Sequence, residues 1–166
     1  MKKLLLLSAL LIFACSSDDE VTETFLERYN GIVWDIEADG GGAEYILIAF
    51  TNQPKGFIGL GGYDINDMTD ECHEVVFGVP YETSIYDGST VTTNNLVTII
   101  ENSENRLEYL FTDDAEGEFD RAFEYSALYE VSEDGNDINV TYTFDATNPS
   151  RTFNGTRTEL LVTSCN

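Results

Sequence analysis

Residues 138–144 read INVTYTF, and this stretch decides the fold. Four apolar or aromatic residues alternate there with three polar ones. A period of two places one set on each face of an extended strand, so the stretch predicts a β-strand with one buried face. The same alternation occurs at 122–131 and at 106–112. The sequence therefore predicts a protein built from half-buried β-strands.

Turn sequences separate the strand segments at short intervals. Asp87-Gly88 and Thr147-Asn148-Pro149-Ser150 are typical, since glycine, proline, asparagine and aspartate favour turns. Strands are predicted at 32–38, 44–50, 57–63, 74–79, 83–93, 96–101, 106–112, 122–131, 138–144 and 156–163. Short connections favour an antiparallel up-and-down meander, and closure into a barrel of about eight strands removes the exposed edges that an open sheet would leave.

A single short helix is predicted before the first strand. Thr24-Phe25-Leu26-Glu27 has the spacing of a capping box, and Gly31 is suited to the turn that ends a helix. The helix is expected at about residues 23–29.

The amino terminus has the pattern of an export signal. Lysines at positions 2 and 3 precede the apolar run Leu4–Phe13, which is too short to cross a bilayer as a helix. The run ends at Ala14 and Cys15, and Ile12-Phe13-Ala14-Cys15 resembles the bacterial lipobox. The resemblance implies that residues 1–14 are a lipoprotein signal peptide and that Cys15 carries the lipid anchor. The alternative is cleavage by the ordinary signal peptidase, which would leave Cys15 as an incidental thiol.

An acidic stretch follows the cysteine. Ser16-Ser17-Asp18-Asp19-Glu20 resembles the tether of Bacteroidota-type surface lipoproteins. The resemblance implies an acidic tether at 15–22 and an outer-membrane, lipid-anchored protein exposed on the cell surface. A solvated linker repelled by anionic lipid is the plainer interpretation, and the two are compatible.

The rest of the chain is strongly acidic. The 166 residues include 31 acidic and 8 basic side chains, with a net charge of −23, and loss of residues 1–14 would remove two of the lysines and none of the acids. Such a surface repels phosphate, so nucleic acid is excluded as a partner. The length suits one domain, at 23–166.

Two cysteines remain once Cys15 is assigned to the anchor. Cys72 and Cys165 form an even pair in an exported chain, which predicts a disulfide. Metal ligation is the alternative, because His73 adjoins Cys72, but a metal site would need two more ligands.

The predicted architecture resembles that of small lipocalin-like lipoproteins. The resemblance rests on a short helix, on Gly31-Ile32-Val33-Trp34 at the first strand, and on the meander; lipocalins have one residue, not two, between the glycine and the tryptophan. A cysteine near the fourth strand paired with one at the carboxyl end also resembles a disulfide of lipocalins. The resemblance implies a lipocalin-like β-barrel that binds a small apolar ligand.

The interior of the barrel decides between two functions. A barrel of this size holds either packed side chains or one small ligand. A pocket at the mouth would bind a small apolar or amphipathic ligand; the candidate residues are Trp34, Tyr63, Tyr109, Tyr125 and Tyr142. A filled interior would instead indicate an accessory subunit that interacts with a larger outer-membrane assembly. An enclosed apolar cavity above ~300 Å³ would favour the first.

Other chemistry has weaker support. Asp64, Asn66, Asp67 and Asp70 provide oxygen ligands for weak calcium binding, although a solvated hairpin tip is the simpler interpretation in so acidic a chain. No other cofactor is predicted. His73 is the only histidine and no Gly-x-Ser-x-Gly motif is present, so a non-catalytic protein is expected.

The lipobox generates the first testable prediction. Replacement of Cys15 by serine should abolish lipidation and release the protein from the membrane fraction, because serine lacks the sulfur that receives the lipid. Labelling with radioactive palmitate and fractionation of the cells measure both effects. Absence of label from the wild-type protein would contradict the anchor.

Overall fold

The structure, a computed structural model, describes residues 22–37, 45–62, 71–84, 92–113, 123–144, 149–162 and 164–165. The predicted signal peptide, Cys15 and the acidic tether up to residue 21 lie outside these ranges, as do Tyr63 and the predicted calcium ligands. Ten strands and one helix make up most of the described chain. They are α1 (Phe25–Arg28), β1 (Val33–Ile36), β2 (Tyr45–Asn52), β3 (Lys55–Gly62), β4 (Glu71–Val76), β5 (Tyr81–Ser84), β6 (Thr92–Asn102), β7 (Arg106–Asp113), β8 (Phe123–Val131), β9 (Asp137–Thr143) and β10 (Arg151–Arg157).

All ten strands belong to one antiparallel sheet. The strand order is β4-β3-β2-β1-β10-β9-β8-β7-β6-β5. It departs at two points from a sheet in which each strand pairs with the strands before and after it in the sequence. The first is the pairing of β1 with β10, in which Trp34 lies opposite Arg157 and Ile36 opposite Gly155. This pairing of the first and last strands bends the meander into a lipocalin-like barrel, which confirms the predicted all-β class and topology, with ten strands in place of about eight.

The second point is the junction of β4 and β5, the two ends of the strand order. Residues 77–80 join them without strand pairing between the two in the described chain. The backbone N–H of Phe77 donates to the carbonyl of Lys55, and that of Gly78 donates to the carbonyl of Val97. The connection therefore links both sides of the ring at the end where β3 begins.

Helix α1 covers that same end of the barrel. The Glu27 carboxylate accepts hydrogen bonds from the backbone N–H and the hydroxyl of Thr24, as the capping-box spacing predicts. Phe25 and Leu26 are fully buried, and the Tyr29 hydroxyl donates to the side chain of Asn105 in the β6–β7 turn. Among the described residues no helix is long and apolar enough to cross a membrane.

Aromatic side chains fill the barrel above the helix. Phe50 packs edge-on against Phe25 and Tyr129, with ring centroids 5.1 and 5.0 Å apart. Phe57, on β3, stacks on Tyr109, on β7, at 5.6 Å, which joins distant strands across the interior. This part of the barrel is a packed core of the kind that alternating strands produce.

A second apolar cluster lies outside the barrel. The side chains of Val33, Leu47, Ala49, Ile58 and Leu60 on the outer face of β1–β3 are covered by Val162. The chain leaves β10 at Arg157 and crosses this face, where the hydroxyl and backbone N–H of Thr158 both donate to the carbonyl of Val33. The last strand was predicted at 156–163 but spans 151–157, because the apolar residues after it cover the sheet from outside.

The predicted disulfide is confirmed. Cys72 on β4 and Cys165 are bonded, with their Cα atoms 5.5 Å apart, and both pack against the outer cluster. The bond attaches the end of the chain to β4, beside one edge of the junction between β4 and β5.

Loss of this bond should destabilise the domain. Cys72→Ala and Cys165→Ala each open a loop with a sequence separation of 93, for which the chain-entropy model gives up to about 4–5 kcal/mol of unfolding free energy. The two variants should therefore lose similar stability in urea unfolding. A loss in only one of them would show that local packing, and not the cross-link, accounts for the effect.

Candidate functional site

An open cup lies at the end of the barrel opposite the helix. Its volume is about 370 Å³. The lining comes from β1, β2 and the β8–β10 region and consists of Ile36, Glu37, Ile46, Tyr125, Tyr142, Phe144, Arg151 and Phe153. The barrel is thus packed near the helix and hollow near the other end.

Strand register explains why these residues meet. Tyr142 lies opposite Arg151 on β10 and opposite Ala127 on β8, so all three have side chains on the same, inner face. Tyr125 and Phe153 are each two residues from an inner position and share that face. The alternation that predicts the strands therefore also places aromatic residues around the mouth.

Aromatic rings form the wall of the cup. The Tyr125 ring stacks on Phe111 at 4.8 Å, and it contacts Tyr142 edge-on at 5.8 Å and Phe144 at 5.7 Å. Tyr142 in turn contacts Phe153 edge-on at 5.8 Å. The edge-on contacts fix the orientations of these rings, and the stacked Phe111 ring covers one face of Tyr125.

Tyrosine hydroxyls form the polar floor of the cup. The Tyr129 hydroxyl lies 3.0 Å from that of Tyr109 and 3.3 Å from that of Tyr142. Tyr109 and Tyr129 are only 2% and 1% exposed. Tyr109, Tyr129 and Tyr142 form a hydrogen-bonded chain, which we call the tyrosine chain; its end member Tyr142 lines the cup, as does Tyr125.

Burial extends to higher pH the range in which these phenols are neutral. It raises the pKa of Tyr109 and Tyr129 well above 10, and it also raises the pKa of Tyr125 and of Tyr142. Desolvation disfavours the phenolate in each case. The tyrosine chain therefore offers hydrogen bonds, and no charge, to a molecule in the cup.

Charged groups lie at the lip. Arg151 is exposed, and Glu37, also in the lining, accepts a hydrogen bond of 3.4 Å from the side-chain amide of Asn154. The chain as a whole is strongly acidic, with a net charge of −23. The field around the protein is therefore predominantly negative.

A second polar group lies on the inner face of β6 and β7. Asn95 is buried, its register partner is Asp113, and Asp113 Oδ1 is buried without a hydrogen-bond partner among the described residues. Burial first, and then the negative charge of Asp113, raise the pKa of Tyr81. The described part of the chain holds no group of three or more histidine, cysteine, aspartate or glutamate residues placed to bind a metal ion.

The predicted ligand residues lie in four different places. Tyr125 and Tyr142 line the cup. Tyr109 lies below it and contributes through the tyrosine chain, whereas Trp34 is fully buried against Tyr29 near the helix, with ring centroids 5.9 Å apart. Tyr63 lies outside the described residues, as do the predicted calcium ligands Asp64, Asn66, Asp67 and Asp70.

Several lining residues were not predicted. Arg151 and Phe153 were missed because the last strand was placed too late in the sequence. The alternation typical of a strand was present, since Arg151, Phe153 and Gly155 alternate with Thr152 and Asn154 shortly after the turn residue Pro149. Ile36 and Ile46 lie in predicted strands, but nothing in the sequence marks which inner positions end at the mouth.

Comparison with known proteins gives no further assignment. No protein family model matches the chain, and no curated protein matches it. The functional argument therefore rests on the geometry of the cup.

The raised pKa values predict an unusual alkaline titration. The phenols of the tyrosine chain and of Tyr125 should stay protonated in the folded protein when exposed tyrosines ionise near pH 10. Since their pKa is higher folded than unfolded, their stabilising contribution is complete below pH 10 and is lost as the pH rises towards the folded pKa values. Tyrosinate absorbance, followed together with circular dichroism, should show these tyrosines ionising only with unfolding. Ionisation of all nine tyrosines near pH 10 in a folded protein would contradict this expectation.

Proposed function

We propose that this protein is a non-catalytic, lipid-anchored outer-membrane protein of the cell surface that binds a small apolar or amphipathic molecule in the cup. The observation that carries the proposal is the aromatic cup of about 370 Å³ above a packed barrel core. Ligand pockets have volumes of roughly 300–1,000 Å³ and combine apolar walls with a few polar groups, and the cup has both properties.

The division of the interior supports binding. The cup is open to solvent and not enclosed, but it exceeds the ~300 Å³ that a small ligand requires. Near the helix, Phe50, Phe57 and Trp34 fill the barrel and hold the floor in place. A rigid floor lowers the entropy lost when a ligand is ordered against it.

The amino terminus supports the location. The lipobox resemblance at Cys15 and the acidic stretch after it are the grounds for an outer-membrane anchor and surface exposure. Export also agrees with the disulfide between Cys72 and Cys165, since such bonds persist in oxidising compartments. A cup on the surface would take its ligand from the medium or from a neighbouring membrane protein.

One observation favours a second function. Leu161 is 85% exposed and Leu160 is 36% exposed on the segment that covers the outer cluster. Neighbouring exposed leucines suit contact with another protein. According to this second proposal, the domain is an accessory subunit that binds to a larger outer-membrane assembly.

Ligand binding can be tested with a blocked cup. Ile46 lines the cup and is 38% exposed, so Ile46→Trp should occupy part of its volume without disturbing the packed core. Binding of the neutral fluorescent probe 1-aminoanthracene should weaken about tenfold or more, which corresponds to about 1.4 kcal/mol.

Ile100 provides a matched control. It is 56% exposed on β6 and is not part of the cup, so Ile100→Trp adds the same side chain elsewhere and should leave probe binding unchanged. Absence of binding to the wild-type protein, or equal effects of the two substitutions, would contradict the proposal.

A further inference from the structure

The tyrosine chain has more hydrogen-bonding capacity than it uses internally. Its three phenols, those of Tyr109, Tyr129 and Tyr142, carry three protons, and two hydrogen bonds join them. Each internal bond uses one proton, so one proton is left for a bond outside the chain. Buried hydroxyls of this kind cost free energy when they lack a partner, so they favour a molecule that supplies one.

Tyr142 brings this capacity into the cup. Among the described residues its hydroxyl bonds only to Tyr129, whereas a phenol can donate one hydrogen bond and accept two. If Tyr129 donates to Tyr142, the Tyr142 proton is available to a carbonyl oxygen of a ligand. If Tyr142 donates to Tyr129, its oxygen accepts from a ligand hydroxyl. Either atom of each pair can be the donor, so the same floor suits both groups.

The floor is unsuited to a charged group. The phenols remain neutral, and Tyr129 and Tyr109 beneath Tyr142 are almost fully buried, so a charge placed there would lose its hydration without gaining a counter-ion. The one basic residue of the lining, Arg151, is exposed at the lip and is accompanied by Glu37. A carboxylate would also be repelled by the net charge of −23 that the chain carries.

We propose that the cup selects flat apolar molecules whose inner end bears one neutral oxygen, a hydroxyl or a carbonyl, and that Tyr142 is the residue that bonds this oxygen. The inference rests on the proposed function and adds the chemical class of the ligand. The rings of Phe144, Tyr125 and Phe153 contact the apolar body, and a second polar group would lie at the lip beside Arg151 and Glu37.

Three probes of the same ring size test the class. Naphthalene, 2-naphthol and 2-naphthoate are titrated into the wild-type protein, and their dissociation constants are compared at neutral pH. One additional neutral hydrogen bond should make 2-naphthol bind about five- to tenfold more tightly than naphthalene, with 2-naphthoate the weakest. Equal binding of naphthol and naphthalene, or tightest binding of naphthoate, overturns the inference. Failure of all three to bind overturns the proposed function itself.

Two tyrosine-to-phenylalanine variants test the residue. Tyr142→Phe should abolish the advantage of naphthol over naphthalene while leaving naphthalene binding unchanged. Tyr29→Phe is the matched control, because it removes a hydroxyl that donates a hydrogen bond to Asn105 near the helix, away from the cup. In this variant naphthol should still bind more tightly than naphthalene. Persistence of the advantage in Tyr142→Phe overturns the assignment of the residue. Should that variant not fold, the order of the three probes on the wild-type protein still decides the ligand class.

Discussion

The structure depends on the antiparallel pairing of β1 with β10, which closes the sheet. At this seam the inner-face neighbours are Ile36, Gly155 and Ile138. A Cβ at position 155 would lie 2.5 Å from Ile36 Cδ1 and 2.8 Å from Ile138 Cγ2, so only glycine lets the two isoleucines pack across the seam. Closure makes one interior out of all the inward faces, and it directs the apolar half of each alternating strand towards the same space.

The side chains of β3 help to explain why the interior is filled near the helix and hollow near the mouth. Near the helix, β3 contributes Phe57, which reaches Tyr109 across the barrel. Towards the mouth the next inner position of β3 is Gly59, and the space where its Cβ would lie is open to at least 4 Å. The glycine-rich stretch 59–62 therefore has a consequence beyond strand curvature, since it leaves β3 without large side chains on the inner face near the mouth.

Much of the fold, and less of the site, follows from the sequence. Alternation at 138–144 is a local property with a strong periodic signal, and where such alternation occurs the bounds of β7, β8 and β9 were predicted closely, whereas β6 was predicted as parts of two strands, 83–93 and 96–101. The bounds of the last strand were predicted wrongly, because the apolar residues that follow it cover the outer cluster. Periodicity does not show which side of a sheet an apolar residue covers. Tyr125 and Tyr142 were predicted at the mouth, whereas Trp34 lies in the packed core. Position along the barrel axis depends on strand register, which long-range pairing sets.

The tyrosine chain shows which part of the interior is more than packing. Phe50 and Phe57 also pack inside the barrel and carry no hydroxyl, so a phenyl ring is sufficient where a core position needs only volume. At Tyr109 and Tyr129 the chain instead buries hydroxyls, each of which would cost roughly 1–3 kcal/mol if left unpaired. Their mutual hydrogen bonds offset that cost only as a connected set, because removal of one member leaves its neighbour unpaired. The set continues to Tyr142 and ends in the lining of the cup, where a molecule bound as we propose would complete it. The inward face of β7, β8 and β9 thus supplies the hydroxyls of the floor, on tyrosines at positions that phenylalanines would suit for packing alone, whereas β1, β2 and β10 supply much of the apolar wall.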